Sequence, residues 1–349
     1  MRLLITGASG FLGRYVVAEA LRRRHSVRAL VHPEADAACL PRSGEAEVEL
    51  IPLDLRNPDG IRDALRGVDT VIHLAAVKEG SFAAQFAGTV TTTSNLVEAM
   101  VDAHVLRLVA ISSLSVLDYL RARPGTIIDE GSPLECDAFR RDAYTRTKLL
   151  QERIFRDFQL RHDGEVTILR PGVLYGRGNL WNARLGVRLR DDLWLRIGND
   201  ATLPSSYVEN CAEAIVIASE RPDSAGETLH IVDDDLPTQH RYSAAVRTRM
   251  KPAPRVLPVG YPLLSALARA VWWCNVRLCK GRLSLPGILV PARLHARFKP
   301  LRYSNQRAKR VLDWTPRYSL QMALDRSFGG RDALPGFGRK DPAPPDGRR

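Results

Sequence analysis

Through its first half the chain alternates short apolar runs with amphipathic stretches. Near-continuous apolar runs at Arg2–Thr6, Val27–Val31, Val48–Pro52, Thr70–Ala75, Leu106–Ser112 and Val166–Arg170 read as strands buried on both faces. Helical periodicity falls between them at Phe11–Arg24, Thr91–Ala103 and Tyr144–Gln159. This alternation predicts an α/β fold, a doubly wound parallel sheet covered by helices on both faces. From about residue 177 prolines, tryptophans and arginines break the pattern, as in Leu257–Pro300. We therefore expect a sheet domain over 1–176, with later returns near 207–232, and a smaller C-terminal substrate-binding region over 177–328. Within the latter, Tyr261–Leu278 places Leu264, Leu267, Ala268, Val271 and Trp272 at helical spacing, with Arg269, Arg277 and Lys280 on its polar side. Packing on the domain core is the expected role; a greasy lid over the substrate or a membrane-surface helix are the alternatives. Gly329–Arg349, rich in Gly, Pro and charge, is expected to be a disordered tail.

Composition adds limits. The 349 residues, 45% hydrophobic and 26% charged, are those of an ordinary globular chain. The formal charge of +12 is carried mostly by Arg, spread along the chain rather than gathered in one run. With no zinc-finger spacing, RNA-binding signature or basic block, nucleic acid is not expected as a partner. Phosphorylated small molecules or peripheral contact with an acidic membrane fit the charge, and so does a coding bias toward Arg. Cys39, Cys136, Cys211, Cys274 and Cys279 are odd in number and form no C-x-x-C pair. Neither a disulfide scaffold nor a metal site is expected, and a reducing compartment follows. With no leader ahead of the first strand and no apolar run long enough to span a bilayer, a cytoplasmic protein without a transmembrane segment is the expectation.

Gly7-Ala-Ser-Gly-Phe-Leu-Gly13 directly follows the first strand and opens the first helix. One glycine permits the turn and another lets a pyrophosphate approach the backbone, while the helix N-terminus offers unpaired N–H groups. In this context the motif predicts a Rossmann-type dinucleotide site. The second strand ends Ala29-Leu-Val-His32, with no carboxylate for the adenosine ribose of NAD. His32 also stands where an Arg would receive a 2′-phosphate, although Arg14 and Arg28 are near in sequence. The cofactor is NAD(P), with the missing acid favouring NADP. Asp54 is placed to bind the adenine edge, and equally well to cap a helix.

Tyr144-Thr-Arg-Thr-Lys148 puts Tyr and Lys on one helix face. A phenol pKa of roughly 10 is too high for easy proton transfer at neutrality, and a nearby ammonium lowers it. Ser113, ending the fifth strand, would fix a substrate oxygen. A surface Tyr/Lys pair is the ordinary meaning of this spacing, but a dinucleotide turn upstream argues for chemistry.

Thr6–Gly13, His73-Leu-Ala-Ala76, Ser112-Ser113, Tyr144–Lys148 and Arg170–Gly176 occur in an order that resembles the extended short-chain dehydrogenases, in particular the NAD-dependent epimerase/dehydratase family. Tyr207–Asn210 and Asp313–Pro316 look like its second-half landmarks, so the resemblance covers about residues 1 to 328. It implies Ser113, Tyr144 and Lys148 as the catalytic triad. It further implies a cofactor site drawn from Gly7, Ser9, Gly10, Phe11, Leu12 and Gly13 at the pyrophosphate, His32, Asp54 and Leu55, Leu74, Ala75 and Ala76 beneath the cofactor, and Pro171 and Gly172 at the nicotinamide, with Tyr144 and Lys148. Thr89 and Thr92 depart from the family's usual Asn and Gly, which puts a structural bond there in doubt.

Sugar-nucleotide dehydratases of this kind carry an Asp-Glu pair where this chain has Leu114 and Ser115, so dehydration is set aside. A sugar-nucleotide epimerase or dehydrogenase, acting as a homodimer on a small-molecule substrate, is the leading expectation. Arg177, Arg184, Arg188, Arg190, Arg293 and Arg302 are candidates for the diphosphate. A 3β-hydroxysteroid-dehydrogenase-like or dihydroflavonol-reductase-like oxidoreductase is the alternative, and a non-catalytic NAD(P)-binding subunit a third.

Overall fold

A computed structural model of the chain describes residues 1–36, 40, 48–182, 184–190, 192–198, 201–280, 282–283 and 285–334. Among these, strands β1 (Arg2–Thr6), β2 (Ser26–Val31), β3 (Val48–Pro52), β4 (Thr70–His73), β5 (Arg107–Ile111), β7 (Glu165–Pro171) and β12 (Thr228–Ile231) form one parallel sheet in the order β3-β2-β1-β4-β5-β7-β12. The apolar runs lack a polar face because both faces of this sheet are covered. On one side α1 (Phe11–Arg22), α6 (Val208–Glu220), α10 (Gln306–Leu312) and α11 (Leu320–Gly329) bury Tyr15, Val16, Ile215, Leu312 and Leu324. On the other, α2 (Ile61–Ala64), α4 (Thr92–Asp102) and α5 (Ala143–His162) bury Ile61, Leu96, Met100, Phe155 and Phe158. This is the Rossmann-type sheet expected, with the chain reversing direction across β1 and β4, where ligands bind at the carboxyl ends of strands.

Several boundaries moved for identifiable reasons. β4 stops at His73 rather than Ala75 because the N–H groups of Leu74 and Ala75 donate to the Thr6 hydroxyl, leaving the ladder. The helix expected over Thr91–Ala103 starts earlier. Ser81 caps α3 (Phe82–Phe86), accepting from the Ala84 N–H at 3.2 Å, and a π-turn over Ala87–Thr91 joins it to α4. Thr89 and Thr92 occupy that turn. The Thr89 hydroxyl accepts from the Val77 N–H at 3.0 Å, and Thr92 donates back to the Gly88 and Thr89 carbonyls. The doubted bond is thus replaced by local ones.

In the second half, β8 (Val173–Tyr175) pairs with β11 (Ser205–Tyr207), and β6 (Ile127–Ile128) with β14 (Arg302–Tyr303). A small sheet β13-β10-β9 combines Arg255–Val259, Leu193–Ile197 and Gly186–Arg190. With α7 (Gln239–Arg247), α8 (Tyr261–Arg277) and α9 (Pro291–Phe298) it forms the texture that the sequence pattern did not resolve. Of the stripe expected to pack inward on α8, Ala268 is buried but Leu267 is 51% exposed, a correction taken up below. The expected disordered tail also needs correction over 329–334. Asp332 is buried, accepts from the Tyr15 hydroxyl at 2.8 Å and pairs with Arg177, and Leu334 enters the core. The remainder of that tail, 335–349, lies outside the described residues, as does Cys39.

Candidate active site

The turn from β1 to α1 is shaped by close approach. Gly7 has φ +65°, and a Cβ there would meet the Ala75 backbone at 3.0 Å. At Gly13 a Cβ would overlap the Gly7 carbonyl oxygen, so glycine there lets α1 start against the turn. Gly10 differs: a Cβ would have only the Gly7 oxygen, at 3.1 Å, near it and would otherwise stand in the cleft. No side chain caps α1, whose first N–H groups and positive dipole end are left for an anion. This is the cradle a pyrophosphate requires. Gly10→Val should therefore fold, retain its melting temperature within a few degrees, and lose NAD(P) binding by calorimetry; unchanged affinity in the folded variant would remove the cofactor assignment.

Behind the turn runs a buried chain of polar side chains. Thr6 Oγ1 lies 2.8 Å from His73 Nδ1, His73 Nε2 2.9 Å from Thr93 Oγ1, and the Gln151 amide donates to Thr93 Oγ1 at 2.8 Å. Thr93 also donates to the Thr89 carbonyl at 2.5 Å, so His73 must be the donor to Thr93. His73 is then neutral with Nδ1 accepting from Thr6. Burial, with the Lys148 charge adding, pushes its pKa down to about 3, in keeping with that tautomer. Gln151 in turn accepts from Lys148 Nζ at 2.7 Å, and the Ile111 carbonyl accepts from the same ammonium at 2.8 Å. Two of three lysine donors are thereby fixed, aiming the side chain from α5 at the end of β5.

Ser113, just past β5, and Tyr144, in the first turn of α5, meet at the same place. Both line the same cleft, the Ser113 hydroxyl accepts from the Ser115 N–H at 3.1 Å, and Asp142 caps α5 by accepting from the Thr145 N–H at 2.9 Å. Burial raises the Tyr144 phenol to about 12, with Ser113 opposing and the charge of Asp142 adding. Lys148 is lowered to about 7 by burial and by the like charge of Lys78, with Glu152 opposing. Lys148 is not a cause of the Tyr144 shift. The ammonium sits on the Ile111 carbonyl and Gln151, so the phenol-lowering effect expected from sequence is not present in this arrangement.

Gly7, Gly10, Phe11, Leu12, Gly13, Leu74, Ala76, Ser113, Tyr144, Lys148, Pro171 and Gly172 all line one cleft of about 1000 Å³. Ser9, His32, Asp54, Leu55 and Ala75 do not. Leu55 is buried in the hydrophobic core, and the Ala75 backbone lies against Gly7. His32 and Asp54 follow β2 and β3. Asp54 is gripped by Arg56, Nη2 to Oδ2 at 2.6 Å, which with burial opposing holds its carboxyl down to about 2. Arg56 Nη2 is also 3.3 Å from His32 Nε2. Asp-x-Arg in a turn was the available signal for Arg56, which the motifs did not single out. Arg28 is excluded from this region: it bonds Glu49 and the Ala64 and Arg66 carbonyls.

The far half of the cleft is basic. Of the six arginines expected at a diphosphate, only Arg184 and Arg293 line it. Arg177 holds Asp332, and Arg188, Arg190 and Arg302 are exposed on edge strands. Arg141 and Arg297, which the sequence did not single out, join the lining. Burial pushes the Arg297 pKa down; Asp142 opposes this, and the like charges of Arg184, Arg293 and Arg141 add to it. Arg141 is paired with Glu135 at 3.1 Å, and Arg184 donates to the Tyr303 hydroxyl at 3.2 Å. Among the described residues one group, Asp118, Glu135 and Cys136, has ligand atoms within 4.8 Å of one another. Arg121 and Arg141 pair with its two carboxylates, which gives these acids an ion-pair role.

A parallel sheet in this order, an uncapped glycine turn and a Ser-Tyr-Lys group at the end of β5 define an extended short-chain dehydrogenase/reductase, an NAD-dependent enzyme class. The chain belongs to the NAD dependent epimerase/dehydratase family, whose model matches residues 3–232. It is 29% identical to a 3-beta-hydroxysteroid dehydrogenase of Mycolicibacterium neoaurum over 63% of this chain and 61% of that one. It is 28% identical to the 3 beta-hydroxysteroid dehydrogenase/Delta 5-->4-isomerase of Mycobacterium tuberculosis over 93% of this chain and 88% of that one. Among solved structures, MoeE5 in complex with UDP-glucuronic acid and NAD superposes with a TM-score of 0.69 at 22% identity, covering 94% of this chain and 98% of the other.

Proposed function

We propose that the protein is a sugar-nucleotide epimerase or dehydrogenase working at a hydroxyl or keto carbon. Bound NAD(P) supplies a hydride acceptor or donor. The glycine turn and the α1 N-terminus hold its pyrophosphate, Tyr144 exchanges a proton with the substrate oxygen, and Ser113 orients that oxygen. Lys148, anchored on Ile111 and Gln151, supplies an ammonium at the same end of the cleft. The observation carrying the substrate class is that Arg184, Arg293 and Arg297 line the same cleft as the glycine turn, planar cations suited to a diphosphate, beside an Arg141 already paired with Glu135. Leu114 and Ser115 offer no acid and base for a dehydratase. A steroid-type dehydrogenase is the second reading, supported by the relative that matches over 93% of this chain.

NADP(H) should bind at least as well as NAD(H), because β2 ends at Val31 and His32 without an acid and Arg56 stands beside His32. A thermal-shift panel of NAD, NADP, UDP-sugars, GDP-sugars and a 3β-hydroxysterol tests all of this. A true ligand at a hundredfold excess over its Kd adds about 2.7 kcal/mol of stability. Stabilisation by a nucleotide sugar supports the first reading, and by the sterol alone the second. A clear preference for NAD would show that the missing acid had been given too much weight.

A further inference from the structure

Helix α8 is apolar around nearly its whole circumference, with two charges, Arg269 and Arg277, in 17 residues. One face, through Ser265, Ala268 and Asn275, is buried, and Ala268 with Tyr261 and Leu264 packs on Ile197 and on Leu294 and Phe298 of α9. The opposite face carries a second stripe: Leu263, Ala266, Leu267, Ala270, Trp273 and Cys274, all exposed, at the spacings that share one helix face. Leu263 is 73% exposed and Trp273 58%. Leu278 and Leu283 beyond the helix are exposed as well, and Asn275 fixes that loop by bonding both the N–H and the carbonyl of Leu283. Apolar side chains are thus presented to water from backbone held in place, the signature of an interaction surface.

The surrounding charge selects the partner. Between residues 236 and 312 the chain has 16 Lys and Arg and no Asp or Glu, while the rest has 35 against 39. The arginines are spread along the chain, but the absence of acids concentrates the net positive charge in this one segment. Arg269 flanks the stripe, and Arg277, Lys280 and Arg282 follow at its C-terminal end.

We propose that α8 and the loop after it dock the protein in the plane of an anionic phospholipid bilayer. Leu263, Leu267 and Trp273 enter the boundary of the acyl chains while Arg269, Arg277, Lys280 and Arg282 meet headgroup phosphates. Spanning takes about 20 apolar residues, and no helix among the described residues is long and apolar enough to cross a membrane. A second copy of the chain fits this face poorly, since two acid-free surfaces of one sign would meet. Nucleic acid would answer the cations and leave the Leu and Trp stripe in water. α9, packed on α8, carries Arg293 and Arg297 into the cleft, so the docking face and the substrate half share one two-helix unit. The docking does not depend on which substrate is used.

The test is flotation of the full-length protein with vesicles of phosphatidylcholine containing about one-third phosphatidylglycerol, against vesicles of phosphatidylcholine alone. Binding to the anionic vesicles should exceed binding to the neutral ones by about tenfold and fall at high salt. The double substitution Leu263→Glu/Leu267→Glu should lose binding about tenfold or more while keeping the wild-type melting temperature. Leu160→Glu, on an exposed position of α5 remote in sequence, should keep it, separating the stripe from a general effect of added charge. Absence of flotation, equal flotation with both vesicles, or full binding by the double variant would overturn the proposal. So would light scattering that shows a dimer broken by the double variant in protein that does not float, or retention by duplex DNA in place of vesicles.

Discussion

Tyr144→Phe is expected to slow turnover by about a hundredfold or more while leaving cofactor affinity nearly unchanged. The substitution removes one hydroxyl, which shares the cleft with Ser113, and keeps a ring of the same size at the start of α5. Burial raises this phenol to about 12, so at neutral pH Tyr144 holds its proton. Lys148→Met should impair turnover and cofactor affinity together, because it removes the ammonium held by the Ile111 carbonyl and Gln151 in the cleft that Tyr144 also lines. Once the ligand panel has supplied a substrate, the assay is product chromatography alongside NAD(P)H absorbance. An epimerase converts substrate with no net change in NAD(P)H, and a dehydrogenase accumulates or consumes it. A Phe variant running at the wild-type rate would end the acid/base assignment and leave the fold untouched.

The second large effect is on stability. Behind the carboxyl ends of the strands, Glu152 of α5 accepts two bonds from Arg170 of β7, each 2.8 Å, and one from Ser112 at 2.6 Å. Both charged side chains are nearly inaccessible, 2% and 3% exposed. Burial alone would raise the Glu152 carboxyl, but Arg170, Ser112 and Arg156 hold it below its ordinary value of 4.5. Glu152→Gln keeps the shape and strands a buried guanidinium, so a loss of about 3–5 kcal/mol is expected from denaturant unfolding. Replacing both Glu152 and Arg170 by Met should cost less than the single change, since no charge is then left unpaired. The sign with pH follows from the depressed carboxyl. The contribution is fully present above its ordinary value of 4.5 and is lost as pH falls through the lower folded value. A Gln variant within about 1 kcal/mol of wild type would mean that water reaches the pair.

Much of this protein was determined by local sequence. The parallel sheet followed from strands without a polar side, because only a sheet covered on both faces buries residues such as Leu3, Leu4 and Ile5 in succession. The glycine turn and the helix face shared by Tyr144 and Lys148 were legible because backbone conformation and four-residue helical spacing are local properties. What the chain could not reveal by itself were meetings between distant segments. Arg141 and Arg297 join Arg184 and Arg293 only because α9 is folded back over the start of α5, and Arg177 is withdrawn from the site by Asp332, 155 residues away. Lys148 was expected to act on Tyr144, yet its direction is set by the Ile111 carbonyl and by a polar chain reaching back to Thr6. Which face of α8 lies bare was equally hidden. A helix apolar on two sides gives the same periodicity whichever side is covered, and only packing against α9 leaves Leu263, Leu267 and Trp273 outside.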